Sequence, residues 1–213
     1  MGISDRKQRE RDHRRKTILA AASRRLLSAG VESTTMADIA EEAELSKAAL
    51  YLYFRSKEAL IYALLHSILG AFRDRIVGAA DVAVAGDARI RAMRGAYVSV
   101  YNEFSDYLQL FQYLDYRTHG GDDETSGAWD CFHVIDEIKE ALVRVLEQGQ
   151  RDGSLRPGFD PRRTAEMQVH MIEGFLQRVA ARDRFIRERS TFSPEELVEQ
   201  MFDMIEFYLT TQP

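Results

Sequence analysis

Two short segments between residues 35 and 54 carry the side chains best suited to contact a nucleic acid. Thr35 is a good helix N-cap with Asp38 three positions on, and Ser46 caps a second short helix predicted to run through about Tyr53. An α-helix fits the major groove of DNA, and its N-terminal residues lie nearest the base edges. The pattern therefore favours a helix-turn-helix whose second helix faces DNA.

The second of these helices presents small and hydrogen-bonding side chains outward. Lys47 can reach a guanine edge or a phosphate, and the methyl groups of Ala48 and Ala49 can approach a thymine methyl. Tyr51 and Tyr53 can donate hydroxyl hydrogens to the DNA backbone, although ordinary partial burial explains either tyrosine taken alone. The array as a whole favours the DNA-facing interpretation.

Helix starts add further groups that suit phosphates. The capped N-termini at Thr35 and at Ser56–Lys57 offer free backbone N–H groups and a favourable dipole. Two short helices cannot bury much surface alone, so the helix that ends at Gly30 is expected to support them. The residues expected to face this support are Ile39, Ala40, Leu45, Leu50 and Phe54.

The charge is unevenly distributed along an otherwise ordinary globular composition. The 213 residues are 45% hydrophobic and 30% charged, with a net charge of −5. Residues 1–60 nevertheless hold twelve Lys/Arg against nine Asp/Glu, and residues 1–25 hold nine against three. A basic end on an acidic body suits a protein that meets phosphates at one end. A solvated helix face with a disordered basic tail explains the same charges.

Other classes of protein are disfavoured. No nucleophile elbow, phosphate-binding glycine loop or metal-spaced set of ligands is present, so we expect neither an enzyme nor a cofactor. Cys131, His133 and Asp136 do not predict a metal site, because Cys131 and His133 lie about 200° apart on a helix. The net acidity argues against a sequence-indifferent architectural DNA-binding protein, since such binding depends on phosphate neutralisation.

The location expected from the sequence is the cytoplasm. No apolar run of membrane-spanning length and no apolar region behind the N-terminal charges are present. The single cysteine cannot form an intrachain disulfide, which fits a reducing compartment.

Helix signals recur along the whole chain and predict an all-α fold of about nine helices, with no strand. Ser105 is expected to break a helix that starts near Ile90, and one uninterrupted helix is expected over 161–187. Residues 79–87 read as a linker and residues 118–124 as a loop.

At its N-terminal end the sequence resembles the tetracycline-repressor (TetR) family of transcriptional regulators. The match spans about residues 14–62 without a gap, which is far more specific than a three-residue motif. The matching residues are Arg14-Arg15, Ile18-Leu19-Ala20-Ala21-Ala22, Gly30, Thr34-Thr35, Ile39-Ala40, Ser46-Lys47, Leu50-Tyr51, Tyr53-Phe54, Ser56-Lys57-Glu58 and Leu60.

The resemblance implies a helix-turn-helix DNA-binding domain over residues 1–56 and an effector-binding and dimerisation domain over 57–213. It also implies that Thr35 and Lys57 meet phosphates together with Tyr53, whereas Lys47, Ala48 and Tyr51 lie at the groove. The expected DNA-binding set is Thr35, Ser46, Lys47, Ala48, Ala49, Tyr51, Tyr53 and Lys57.

Two departures from the family pattern bear on this site. Glu44 occupies the family's usual turn glycine, so we expect a strained backbone there at a cost of about 1 kcal/mol. Ala48-Ala49 replaces a common Gly-Thr pair and removes a hydroxyl that could bond to DNA. The base preference of relatives therefore does not carry over to this chain.

An aromatic-rich wall in the second half predicts a pocket for an apolar or aromatic small molecule, with His133 or His170 as polar anchors. Plain core packing explains any single aromatic residue as well, and a satisfied buried or surface role explains either histidine. The expected lining is Tyr97, Tyr101, Phe104, Phe111, Trp129, Phe132, His133, His170 and Phe175.

A homodimer is expected through the last two helices. The final helix carries two apolar stripes, Leu197-Met201-Met204-Tyr208 and Val198-Phe202-Ile205-Leu209, and one stripe suffices for its own core. The helix from Pro161 adds Met167, Met171 and Gly174. Charge placed at Phe202 or Ile205 is therefore expected to give monomers or misfolded protein. The sequence as a whole predicts a repressor that binds a palindromic operator as a dimer and is relieved by a ligand.

Overall fold

The computed structural model describes residues 3–81, 85–118 and 127–210, with side chains over 5–81, 85–113 and 127–210, and every regular element within these ranges is an α-helix. None of the described helices has the length and apolar character that crossing a membrane requires. The all-α fold predicted from the sequence is confirmed. The described helices are α1 (Ile3–Ala29), α2 (Met36–Glu42), α3 (Lys47–Tyr51), α4 (Lys57–Ala80), α5 (Gly86–Thr118), α6 (Gly127–Asp152), α7 (Pro161–Ala181), α8 (Asp183–Arg189) and α9 (Pro194–Thr210).

The described residues form two compact units. Residues 3–68 and 127–131 form the first, called the head, and residues 69–118 and 132–210 form the second, called the body. This division by contacts falls inside α4, whereas the sequence placed a functional boundary after Ser56. Where the DNA-binding region ends functionally stays a prediction.

Apolar side chains from α1, α2 and α3 build the core of the head. Ile18, Leu26, Ile39 and Leu50 are at most 1% exposed, so the supporting role predicted for α1 is confirmed. Gly30 follows α1 with φ +83°, a conformation that glycine adopts without strain.

The helix α1 is longer at its N-terminus than the apolar pattern indicated. It begins at Ile3, although its first buried side chain is Ile18. The described part of the basic N-terminal segment is therefore helical, and the alternative of a disordered tail is wrong for residues 3–17.

The body is built on contacts among α5, α7 and α9. Val100, Ile172, Leu176 and Leu209 are among its most buried residues. At the margin of this core, Arg94 of α5 binds carboxylates of α9, with 2.6 Å between its guanidinium and each of Glu199 and Asp203.

Two helix boundaries in the body differ from prediction. The break expected at Ser105 is a kink at Phe104 (φ −125°, ψ 15°) inside a continuous α5. The single helix expected over 161–187 is interrupted at Arg182 (φ −116°, ψ 13°), where α7 ends and α8 begins. No residue of α8 is buried, so no apolar packing favours a continuous helix through α7 and α8.

The beginning of α5 docks against the end of α6. The backbone N–H groups of Gly86 and Asp87 donate to the side chains of Asp152 and Ser154, each at 3.0 Å. A methyl group added at Gly86 would overlap the backbone of Gly149, so glycine is required here for close approach. Gly86 therefore starts α5, although the sequence placed it at the end of the predicted linker. Residues 82–84 of that linker lie outside the described ranges. Residues 119–124 of the predicted loop lie outside them as well.

Candidate functional site

A capping box fixes the start of α2. The Thr35 hydroxyl accepts from the Asp38 backbone N–H at 3.2 Å, and the Asp38 carboxylate accepts from the Thr35 N–H at 2.8 Å. The bond from the Thr35 backbone N–H is the main reason that the pKa of Asp38 lies below its usual range. The box predicted from the sequence is confirmed, and it leaves Thr35 exposed.

The turn between α2 and α3 contains the strained residue expected from the sequence. Glu44 has φ +54°, and among the described residues it is the only non-glycine with positive φ. After this turn the Ser46 hydroxyl caps α3 by accepting from the Ala49 N–H at 3.1 Å. A left-handed residue followed at once by a cap lets two short helices meet in a tight turn.

The exposed face of α3 contains most of the predicted DNA-binding residues. Lys47, Ala48 and Tyr51 are exposed, whereas Ala49 and Tyr53 are half-buried. On the opposite side Leu50 and Phe54 are 0% and 3% exposed and anchor the helix to the core. The structure thus brings the side chains of Lys47, Ala48 and Tyr51 together on the exposed side of α3.

Arg15 of α1 holds the end of the recognition segment, a role that the sequence did not reveal. Its Nη1 donates to the Tyr53 carbonyl at 3.0 Å, and its guanidinium lies 4.4 Å from the centroid of the Phe54 ring. The clue was available, because Arg15 lies three positions before Ile18 and so near the buried face of α1. Arg15 therefore anchors the segment that follows α3.

Lys57 occupies a different environment from the one expected. Its Nζ donates to the carbonyls of Val31 at 2.5 Å and Thr34 at 2.8 Å, so the ammonium ties the start of α4 to the α1–α2 loop. The side chain is half-buried. An ammonium has three N–H donors, and two of them are used here. The phosphate contact expected of Lys57 stays a prediction, with a structural role beside it.

The body contains a cavity of about 60 Å³ with a mostly apolar lining. Among the residues predicted to line an effector pocket, Tyr97 and Phe111 do so. The sequence did not identify the remainder of the lining, because these aliphatic residues look like ordinary core. They are Leu69, Phe72, Ile76, Val100, Leu108, Ile135, Ile138, Ile172, Glu173, Leu176 and Gln177.

Polar side chains of α7 and α5 line part of the cavity. Glu173 and Gln177 lie one helical turn apart, and the Tyr97 hydroxyl lies across from them on α5. Burial, together with the negative charge of Glu173, raises the pKa of Tyr97 well above its usual value, so this hydroxyl stays protonated and can donate a hydrogen bond.

Two predicted aromatic residues are close to this region but do not line the cavity. Phe104 lies at the kink, where its ring contacts Phe72 edge-on at 5.3 Å between centroids. Tyr101 is buried, and its hydroxyl has no hydrogen-bond partner within the described part of the chain. Burial raises the pKa of Tyr101 to about 12, with smaller contributions from Glu195 and Asp183.

The other five residues predicted for the pocket do not line this cavity, and their part in effector binding stays a prediction. His133 lies two positions before Ile135, about 200° around α6, and is exposed. His170 is 74% exposed beside Glu166, at 3.2 Å. Trp129 is 45% exposed and belongs to the head. Phe132 and Phe175 are half-buried and do not line the cavity.

The two apolar stripes of α9 have separate environments. Val198, Phe202, Ile205 and Leu209 are at most 8% exposed and belong to the core of the body. In the other predicted stripe Met201 is only 7% exposed, whereas Met204 and Tyr208 are 66% and 40% exposed. Phe207, which the prediction did not include, is 68% exposed beside them. Phe202 and Ile205 were therefore the wrong positions for testing an interface.

The exposed apolar surface continues on α7. Met167 and Met171 are 52% and 41% exposed, and Gly174 on the same stripe is exposed as well. Monomeric proteins rarely leave several large apolar side chains in water on neighbouring elements. The surface of α7 and α9 is thus suited to protein contact.

Comparison with known proteins agrees with this architecture. Residues 18–64 match the sequence model described as bacterial regulatory proteins, tetR family. The chain is 30% identical to the HTH-type transcriptional regulator BetI of Rhizobium meliloti over 78% of this chain and 77% of that protein. It is also 30% identical to the HTH-type transcriptional repressor KstR2 of Rhodococcus jostii over 69% and 70% of the two chains.

A solved structure shows the same fold across nearly the whole chain. It is a bacterial regulatory protein in the tetR family from Rhodococcus RHA1, with a TM-score of 0.72 at 19% identity, covering 92% of this chain and 96% of that one. Regulators of this family bind operator DNA and small-molecule effectors as dimers. The capped α2–α3 pair, its support by α1 and the sequence relatives lead to one conclusion: the chain belongs to the tetR family and is a DNA-binding transcriptional regulator.

Proposed function

We propose that this regulator is a cytoplasmic repressor without catalytic activity, which binds a palindromic operator as a homodimer and is released by a small-molecule effector. The observation that carries the proposal is the exposed face of α3, where Lys47, Ala48 and Tyr51 stand on a helix held by Ser46 at its start and Arg15 at its end. The Rhodococcus jostii relative is named a repressor, which supports the sign of regulation.

In this proposal α3 lies in the major groove. Lys47 lies in its first turn, nearest the bases, and contacts a guanine edge or a phosphate. Ala48 and Ala49 permit close approach, and Tyr51 and Tyr53 donate to backbone phosphates. Thr35, Ser46 and Lys57 position the head through groups at the starts of α2, α3 and α4.

A dimer supplies the second recognition helix that a palindrome requires. We assign the interface to the exposed stripes of α7 and α9, in which Met167 and Met171 face Met204 and Phe207 of the partner helices. Their exposure in the single chain supports this assignment. Joining two heads raises the effective concentration of the second half-site contact.

The effector is proposed to enter the cavity of the body. The apolar lining favours an apolar or aromatic molecule, and Tyr97, Glu173 and Gln177 supply polar groups for orientation. Because drug-sized ligands occupy pockets of about 300–1,000 Å³, a cavity of about 60 Å³ has to expand to admit one. The kink at Phe104 separates lining residues Tyr97 and Val100 from Leu108 and Phe111, so movement there would widen the space.

Release then follows from a shift between two dimer states. An effector that fits only the expanded cavity stabilises the dimer state in which the cavity is expanded. It can shift the equilibrium between the two dimer states by no more than the difference in its binding free energy for them. The helix α4 begins in the head and continues into the body, so it provides a covalent connection through which the two states can differ at the DNA.

A ligand screen followed by operator titration tests this mechanism. Apolar and aromatic compounds that raise the melting temperature are added to the complex of the wild-type protein with the palindrome from its own promoter. We expect at least one such compound to lower operator affinity by at least about tenfold. An Ile138→Phe variant, which fills the cavity, should bind the operator normally and lose the response. Equal operator affinity with and without every stabilising compound would reject effector release.

A further inference from the structure

No described side chain in the first four turns of α1 is buried, and Asp12 and Lys16 border a surface cleft beside α4. All described side chains from residue 5 to 14 are exposed, and the first buried residue is Ile18. At 1.5 Å per residue, the stretch from Ile3 to Lys16 is about 20 Å long. A helix of this length without tertiary packing is only marginally stable in water, so apolar burial does not explain why the segment is helical.

Three cations line one side of this projecting segment. Lys7, Arg11 and Arg14 follow one another at i, i+4 and i+7, which places them within about 60° of one another around the helix. All three side chains are exposed. Ile18 continues the same row, so the stripe is an extension of the face with which α1 packs on the head.

The acidic residues of the segment lie outside this stripe. Asp5 and Asp12 lie on the far side of α1, where Asp12 accepts from Gln8 at 2.9 Å, whereas Glu10 borders the stripe, three positions after Lys7 and four before Arg14. Two of the three acidic residues are therefore separated from the stripe.

The stripe ends next to Arg15, the residue of α1 that contacts the recognition segment. Arg15, one residue after Arg14, donates to the carbonyl of Tyr53 at the end of α3 and lies over the ring of Phe54. The same face that is basic before Arg15 packs against α2 after it. The stripe therefore ends beside the residue through which α1 contacts the segment that follows α3.

Like charges at i, i+4 spacing destabilise an isolated helix, so the stripe is unfavourable for the free segment. A duplex, whose two strands together carry one negative charge about every 1.7 Å, would relieve this repulsion along the length of the segment. Such contacts fix position and supply affinity and do not read sequence.

We propose that Lys7, Arg11 and Arg14 form a second DNA-contact surface, which binds backbone phosphates beyond the base pairs met by α3. This proposal rests on the operator binding proposed above and adds a phosphate clamp to it. The clamp raises affinity for any duplex, whereas discrimination between sequences stays with α3.

A pair of matched triple variants tests the proposal in the full-length dimer. The stripe variant is Lys7→Gln, Arg11→Gln and Arg14→Gln. The control variant is Arg6→Gln, Arg9→Gln and Lys16→Gln, which removes the same number of lysines and arginines from positions outside the stripe. Glutamine is a good helix former, and the substituted side chains are exposed, so both variants should fold. Affinities for the operator and for random duplex are measured over a range of salt concentrations, with circular dichroism as the check on folding.

We expect the stripe variant to bind both duplexes about tenfold or more weakly at about 0.15 M salt, with the ratio between them unchanged. For the stripe variant, the slope of the logarithm of the DNA-binding constant against the logarithm of the salt concentration should be shallower by about 0.9 for each phosphate that it no longer neutralises. The control variant should stay close to wild type. Equal weakening in both variants, or none in either, would overturn the clamp. Failure of the wild-type protein to prefer the operator would instead overturn the proposed function.

Discussion

The head and the body of this chain are held in shape by different kinds of interaction. In the head, single polar contacts fix each short element: Thr35 and Asp38 start α2, Ser46 starts α3, and Arg15 holds the carbonyl at its end. In the body, long helices pack through aliphatic and aromatic side chains, and polar contacts such as those of Arg94 lie at the margin.

This difference corresponds to the two functions assigned to the chain. A helix that reads base edges has to be presented in one position, and directional hydrogen bonds provide this for helices of five and seven residues. A cavity that accepts a ligand has to change its volume, and apolar contacts can repack with little loss of energy. The contacts of the head therefore hold α3 in one position, whereas the apolar packing of the body allows the cavity to change its volume.

The largest effects should come from charges introduced at neighbouring positions of α9. Phe202→Asp places a carboxylate at a side chain that is 4% exposed, and we expect the body to lose more than about 4 kcal/mol of unfolding free energy. Phe207→Asp alters a side chain that is 68% exposed, so the variant should stay helical but sediment as a monomer. Thermal unfolding and analytical ultracentrifugation measure the two outcomes.

These two variants also test the assignment of the α9 stripes. If the Phe207→Asp protein is folded and still dimeric, the assignment of α9 to the dimer interface is wrong. A stable Phe202→Asp protein would contradict the core of the body as described.

The next largest effect is expected at Arg15. Arg15→Ala removes a charge-assisted hydrogen bond to the Tyr53 carbonyl and a contact with the Phe54 ring, so the head should lose about 2–3 kcal/mol of stability. Amide hydrogen exchange at Tyr53 and Phe54 should accelerate. The matched control is Lys16→Ala, since the neighbouring Lys16 is exposed and should leave both quantities unchanged. Identical exchange rates in the two variants would show that Arg15 does not hold α3.

The helix caps of the head could be predicted from the sequence in detail, and the comparison of the two regions explains why. Caps and turns depend on residues next to one another in the chain, so Thr35, Asp38 and Ser46 reveal their own partners. Arg15 escaped prediction because its partner, Tyr53, is distant in sequence and is a backbone carbonyl, which carries no sequence signal.

The body could be predicted only as a set of helices. Helical periodicity shows which residues share a face but not which face meets which helix, so Ile135 and Ile138 looked like core, and His133 looked like a ligand anchor. The same limit applies to α9, where the sequence showed two apolar stripes and could not tell the buried stripe from the exposed one.

The smallest effect is expected at Glu44, in the tight turn of the head. Its φ of +54° is unfavourable for a residue with a Cβ, so Glu44→Gly should raise the unfolding free energy by about 1 kcal/mol. Glu41→Gly, at an exposed position inside α2, should lower stability by about the same amount and serves as the control. Chemical denaturation measures both, and a loss of stability in Glu44→Gly would refute the strain assigned to this turn.

The most direct test of base reading by α3 is the binding of wild-type protein and Lys47→Ala to the operator and to random duplex at one salt concentration. We predict that Lys47→Ala loses about 1–3 kcal/mol of binding free energy for the operator and much less for random duplex, so that discrimination falls. Unchanged discrimination between the two duplexes would contradict the claim that the exposed face of α3 reads bases.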